Sequence, residues 1–172
     1  MKMFLILAGL AASSATAQPP ARPNVTRITY EATACFGFCP VFQVTLDADG
    51  SGLFEGRQHT RVHGQRRFRI SRAQFAALVR TLAPARPDPT FRGTLSYDSI
   101  GRCLGRGSPP TDGESVNVTW HGAGGQPQGV HFYMGCDNQP AKDSLLRARR
   151  LLPVDGFIFP IPGLNRYRYR NR

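Results

Sequence analysis

The densest group of reactive side chains in this sequence surrounds a glycine, with Cys35 and Cys39 on either side of Gly37. On an extended chain, Cα atoms four residues apart are separated by about 13 Å, but a disulfide requires Cα atoms within about 7 Å. The chain must therefore turn between the two cysteines if they pair. Gly37 permits a positive φ in that turn, and the proline after Cys39 favours an extended backbone leading into a strand. Phe36 and Phe38 flank the glycine and could pack over the resulting bridge.

Three kinds of chemistry are open to this cysteine pair: a structural disulfide, thiol–disulfide exchange and metal binding. Soft thiolates suit Cu(I). The spacing C-x-x-x-C-P also resembles, locally, the copper site of Sco-type copper chaperones. That resemblance implies two thiolates and a distant histidine as copper ligands, for which Cys35, Cys39 and His131 are the candidates. In that family the motif leads into a helix, whereas residues 41–46 alternate as a strand does, so the structural disulfide is our main expectation.

The first seventeen residues predict a secretory signal peptide. Lys2 supplies a positive charge, an apolar run follows from Met3 to Ala12, and small residues precede a cleavage point after Ala17. The apolar run is shorter than the ~20 residues that span a bilayer. We therefore expect a periplasmic or secreted protein with no transmembrane segment once the signal is removed.

Export decides how the four cysteines are interpreted, because an oxidising compartment allows disulfides to persist. Four cysteines allow three pairings. We expect Cys35 to pair with Cys39 and Cys103 with Cys136, since each bridge would then tie a loop to a neighbouring strand end.

The mature chain has the length of one ordinary domain. We expect a flexible leader at 18–26, a single domain at 27–157 and a basic aromatic tail at 158–172. Alternating segments predict strands, and two segments with helical spacing predict helices, the first opened by a capping box at Ser71 and Gln74. This order predicts an α+β fold, with an antiparallel sheet built from hairpins and two helices packed on one face. The Pro- and Gly-rich stretch at 85–113 predicts a long loop, interrupted at most by brief strands.

The formal net charge of +11 comes almost entirely from arginine. A strand over residues 60–70 would place a ribbon of cations on one face, and the tail alternates arginine with tyrosine. The candidate anion-binding residues are Arg61, Arg67, Arg69, Arg166, Arg168 and Arg170. In an exported protein these cations favour lipopolysaccharide, anionic lipid or acidic glycan over nucleic acid. The alternative is a solvated basic surface without a partner.

The sequence contains no complete catalytic constellation. It lacks a Ser/His/Asp order, a metal motif and a pair of acids within one periodic element, so a non-enzymatic protein without a cofactor is our first hypothesis; copper is the alternative cofactor, and an enzyme of unrecognised type is the third hypothesis. A second hypothesis for a metal site, besides the cysteine pair, involves histidines. His121 and His131 could face His63 if their hairpins share a sheet, which would allow zinc or copper to bind.

A longer resemblance covers most of the chain from Arg27 to Asp155. The pattern is similar to that of a bacterial envelope family known as a domain of unknown function. The segments that carry it are Thr33–Leu46 with its A-C-F-G-x-C-P motif, Asp49-Gly50, the Ser-capped helix, Thr111-Asp112, Tyr133-x-Gly135-Cys136 and the closing helix. The resemblance implies a small, often exported α+β domain, and no reaction accompanies it. This chain departs from the pattern at Gly113, where a proline is expected soon after the aspartate.

Overall fold

Alternation of apolar and polar residues produces the strands of one sheet. The computed structural model describes residues 25–98, 103, 112–122, 125–137 and 140–160. The strands are β1 (Val25–Ala32), β2 (Val41–Asp47), β3 (Ser51–Gln58), β4 (Gly64–Arg69), β5 (Gly93–Tyr97), β6 (Ser115–Gly122) and β7 (Gln128–Tyr133). The helices are α1 (Arg72–Leu82), α2 (Ala141–Leu151) and the short α3 (Asp155–Ile158), with a 3-10 turn at Ala83–Ala85.

The seven strands lie in the order β4-β3-β2-β1-β6-β7-β5. Neighbouring strands are antiparallel, except that β5 runs parallel to β7 at one edge. The predicted α+β class is confirmed. The strand β5 lies within the predicted loop at 85–113. The residues of β5, GTLSY, are half-buried or exposed, so this strand lacks the alternating burial seen in β1, β2, β3 and β6.

One face of the sheet forms the core. The buried residues of the central strands include Ile28, Tyr30, Phe42, Val44, Phe54, Val118, Trp120 and Phe132. Because side chains alternate along a strand, the residues between these lie on the opposite face. Those residues are mostly polar and half-exposed, and they form the polar face described below.

The helices complete the same core. The predicted capping box is present at the start of α1: Gln74 N–H donates to Ser71 Oγ at 3.1 Å, and Ser71 N–H donates to Gln74 Oε1 at 2.8 Å. The residues that α1 and α2 bury share one cluster with the sheet, and they are Phe75, Leu78, Leu82, Ala141, Leu145 and Ala148. In the described part of the chain, no helix is both long enough and apolar enough to cross a membrane.

Two domain ends differ from the expected ones. β1 begins at Val25, so the last two residues of the predicted leader belong to the sheet. Ile158, expected in the tail, is only 1% exposed and belongs to the core. The predicted signal peptide at 1–17 and residues 161–172 of the predicted tail lie outside the described residues.

The predicted strand over residues 60–70 is shorter than expected, because β4 starts only at Gly64. The preceding residues form a turn in which Thr60 is buried and its hydroxyl donates to the Val62 carbonyl at 2.8 Å. The turn lies outside the sheet, and its backbone is hydrogen-bonded to α3. Arg61 N–H donates to the Ile158 carbonyl at 3.0 Å, and Val62 N–H donates to that of Phe157 at 2.9 Å.

Candidate anion-binding face

A row of polar side chains crosses the whole sheet on its polar face. The strand registers place one member on each strand, at directly opposed positions. From β4 to β5 the row reads Gln65, Glu55, Gln43, Glu31, Asn117, His131 and Ser96. Opposed side chains on one face of a sheet are close enough to interact. Side-chain hydrogen bonds, partly through Arg57, link the members of this row from Glu55 to His131.

Arg57 links one half of this row. Its Nη1 donates to Glu31 Oε1 at 2.5 Å, its Nε to Glu55 Oε1 at 3.1 Å and its Nη2 to Gln43 Oε1 at 3.2 Å. The hydrogen bond with Glu55 raises the pKa of Arg57, burial acts against this increase, and the hydrogen bond with Glu31 adds to it. The guanidinium group is thus engaged by two carboxylates on the face.

Glu31 also links the other half of the row. Its Oε2 accepts from Asn117 Nδ2 at 2.9 Å, and Asn117 Oδ1 lies 2.6 Å from His131 Nδ1. Since the Asn117 amide donates through its nitrogen to Glu31, its oxygen faces the imidazole and can only accept. His131 therefore donates from Nδ1, which leaves the lone pair of the neutral ring on Nε2.

Substitution of Glu31 by glutamine tests the importance of this network. We expect E31Q to lower the free energy of unfolding by about 1 kcal/mol, because both Arg57 and Asn117 lose a charged acceptor at a partly buried position. The matched variant E55Q weakens only a contact with Arg57 and is expected to cost less. Urea unfolding followed by circular dichroism measures both. Equal losses would mean that Glu31 is not the centre of the network.

Two predicted anion-binding arginines lie together on the polar face at its β4 edge. Arg67 and Arg69 are exposed and oppose Leu53 and Ser51 of β3. They border a shallow depression of about 550 Å³, whose lining also includes Arg27 and Asp47. Arg27 Nε lies 2.7 Å from Asp47 Oδ1, and this hydrogen bond raises the pKa of Arg27. The carboxylate in the depression is therefore already paired.

The remaining predicted arginines lie elsewhere. Arg61 belongs to the turn before β4, where its Nη1 donates to the Gly156 carbonyl at 3.4 Å. It does not extend the row of Arg67 and Arg69, because the chain leaves the sheet at this turn. Arg166, Arg168 and Arg170 lie outside the described residues.

The cysteines lie at disulfide distance in the predicted pairing. Cys35 pairs with Cys39, with Cα atoms 5.6 Å apart, and Cys103 pairs with Cys136, with Cα atoms 4.8 Å apart. Phe36 and Phe38, which could pack over the first bridge, are largely exposed to solvent, with exposed fractions of 90% and 60%. The turn at Gly37, with φ of 154°, carries both rings away from the core.

The proposed metal ligands do not converge. The Cys35 and Cys39 sulfurs are bonded to each other, and His131 is engaged with Asn117 through Nδ1. His63 precedes β4, five strand positions from the His131 strand β7, which corresponds to about 24 Å across the sheet. Within the described ranges there is no group of three or more His, Cys, Asp or Glu residues that could hold a metal ion.

The sequence interpretation missed the network around Glu31 and Arg57. Its only local signal is that polar residues occupy the outward positions of each strand. That pattern shows which face the residues occupy, but it does not reveal that five strands bring them into one hydrogen-bond network. Exposure of the two phenylalanines had no signal either, since apolar residues are normally expected in a core.

Comparison with known proteins assigns the family. No curated protein matches the chain. A family profile with the description Domain of unknown function (DUF6438) matches residues 26–150. The match begins in β1, includes all the other strands and ends one residue before the last residue of α2, so it covers most of the chain. The chain therefore belongs to the family described as Domain of unknown function (DUF6438).

Proposed function

We propose that this protein is a non-enzymatic, disulfide-stabilised domain of the cell envelope, periplasmic or secreted, that binds an anionic partner through exposed arginines. One observation carries the proposal: Arg67 and Arg69 are exposed side by side without a salt bridge to any described residue. Other arginines of the polar face, Arg27 and Arg57, are paired with carboxylates. On the polar face, the two arginines that form no salt bridge with a described residue therefore lie at the β4 edge, where Arg69 Nη2 donates to the Asp49 carbonyl at 3.4 Å.

The chemistry of these two residues favours oxyanions. Residues at i and i+2 of a strand are about 7 Å apart, so two guanidinium groups can converge on one phosphate or contact successive anionic groups. The net charge of +11 attracts such a partner over longer distances. The signal sequence predicted for this chain favours envelope anions, namely lipopolysaccharide, anionic lipid or acidic glycan.

Charge reversal tests the proposal. We expect R67E/R69E to weaken binding to immobilised lipopolysaccharide by about tenfold or more, because two exposed cations at the site become anions. The measurement is the binding constant at rising NaCl concentrations, where binding of the natural protein should fall as charges are screened.

The matched control is R80E/R147E, which makes the same change in net charge on exposed positions of α1 and α2. It is expected to weaken binding less. An equal loss in both variants, or retention that is insensitive to salt, would contradict a specific site at the β4 edge.

A second candidate function is thiol–disulfide exchange or Cu(I) binding at the first bridge. It is favoured by position: Cys35 and Cys39 lie half-buried on an exposed loop, whereas Cys136 is buried. Copper would bind only after reduction, since thiolates are the ligands that Cu(I) selects. Alkylation and mass spectrometry of protein isolated without reductant separate the two functions, because free thiols at Cys35 and Cys39 would favour the second one.

A further inference from the structure

The loop between Cys35 and Cys39 exposes two aromatic rings on a restrained backbone. Phe36 is 90% exposed and Phe38 is 60% exposed. The bridge closes the loop, and Gly37 adopts a φ of 154° that a side chain would disfavour. Phe36 N–H also donates to the Asp112 carbonyl at 3.2 Å. These restraints hold the two rings in water, where each is less stable than in an apolar environment.

The segment between β3 and β4 carries two histidines and one arginine, and one of the histidines contacts a ring of the loop. Phe38 contacts the His59 ring edge-on, with centroids 5.1 Å apart. Arg61 and His63 are exposed on the same turn. The two backbone hydrogen bonds from this turn to α3 hold it in place. One end of the sheet therefore presents a protruding aromatic tip with basic residues next to it.

We propose that this end of the molecule is an interfacial anchor, in which Phe36 and Phe38 insert at the headgroup–acyl boundary of an anionic lipid bilayer. Aromatic rings are favoured at that depth, and apolar burial adds to the attraction between basic residues and anionic lipids. Arg61 contacts headgroup phosphates beside the inserted rings. This inference rests on the proposed function, since it specifies the anionic partner as a lipid surface.

The shape of the tip favours a bilayer over a folded protein. A protein partner would need a pocket that matches two protruding rings, as in hot-spot recognition. A bilayer accepts such rings without a preformed pocket, and its negative surface complements the positive charge of the chain.

The test is co-sedimentation with vesicles of phosphatidylcholine alone and of phosphatidylcholine containing phosphatidylglycerol. We expect F36S/F38S to lower the partition coefficient for the anionic vesicles by about tenfold or more, because the apolar contribution is lost. The matched control, L146S/L151S, removes two exposed leucines of α2 and should change the partition less than about twofold. Since both phenylalanines are exposed, F36S/F38S should keep the natural melting temperature.

A second variant reports the depth of the tip. F36W introduces an indole at the proposed insertion site, and brominated lipids should quench its fluorescence, while the buried Trp120 of the natural protein stays unquenched. Quenching of F36W together with the loss in F36S/F38S supports the anchor.

Three results would contradict the membrane-anchor proposal. Each of them can be told apart from a failure of the proposed anion-binding function. Binding to anionic vesicles that is unchanged in F36S/F38S rejects insertion, even if R67E/R69E still reduces binding. Equal partition into neutral and anionic vesicles rejects the role of the basic residues. Retention on delipidated acidic glycans without binding to vesicles rejects the bilayer as the partner and keeps the anion-binding function.

Discussion

Replacing Cys103 and Cys136 together by serine is expected to lower the free energy of unfolding by about 4 kcal/mol. The bridge joins residues 33 positions apart, so it restricts the unfolded chain strongly. It also connects the segment after β5 to the segment after β7, and therefore helps to hold the parallel edge strand in the sheet. Urea unfolding of C103S/C136S against the natural protein measures the loss.

The matched control is C35S/C39S, which opens a bridge between residues only four positions apart. The same chain-entropy argument gives about 2 kcal/mol for this short loop. If the short bridge cost as much as the long one, loop length would not be the source of the stabilisation. If C103S/C136S kept its stability, β5 would be held by its pairing with β7 alone.

Truncation of Trp120 to alanine is expected to destabilise the protein by about 3 to 5 kcal/mol. This side chain is 1% exposed and is the largest of the fully buried ones. Phenylalanine at the same position should cost considerably less. The phenylalanine ring fills much of the volume left by the indole. The substitution also removes an indole N–H that is buried without a hydrogen-bond partner among the described residues.

Circular dichroism during urea unfolding suits this series, because the substitutions remove the chain's one tryptophan. H121A, a change at the next residue on the half-exposed polar face, serves as the control and should cost less than about 1 kcal/mol. Equal losses for W120F and W120A would indicate that the indole N–H contributes to stability after all.

Much of the fold follows from local patterns. The period of two in β1, β2, β3 and β6 predicts both the strands and the face that each one buries, and the capping box predicts the first helix at Ser71. These features depend on residues only a few positions apart, so local alternation and capping patterns predict them. The sequence allowed brief strands within residues 85–113 but did not locate β5, because an edge strand buries little and needs no apolar alternation. Its parallel partner β7 lies more than thirty positions further along the chain.

The candidate sites required the fold. Arg67 and Arg69 could be placed on an outward face from their spacing, but their separation from Arg61 depends on hydrogen bonds between the turn and α3. The exposure of Phe36 and Phe38 contradicts the ordinary preference of phenylalanine for a core. It results from a loop that is closed by its own disulfide and turned at Gly37.

Composition and order of residues alone therefore determined the α+β class, the apolar face of most strands, the capped helix and the large positive charge. Tertiary structure alone decided which strands are neighbours. It thereby decided the hydrogen-bond network that joins Arg57 and Glu31 to His131, and the position of the exposed loop of Phe36 and Phe38 next to the segment between β3 and β4. The physical reason is range. Alternation and capping act between residues close in sequence, whereas strand order and register bring together side chains from distant segments, and no local pattern encodes which segments will meet.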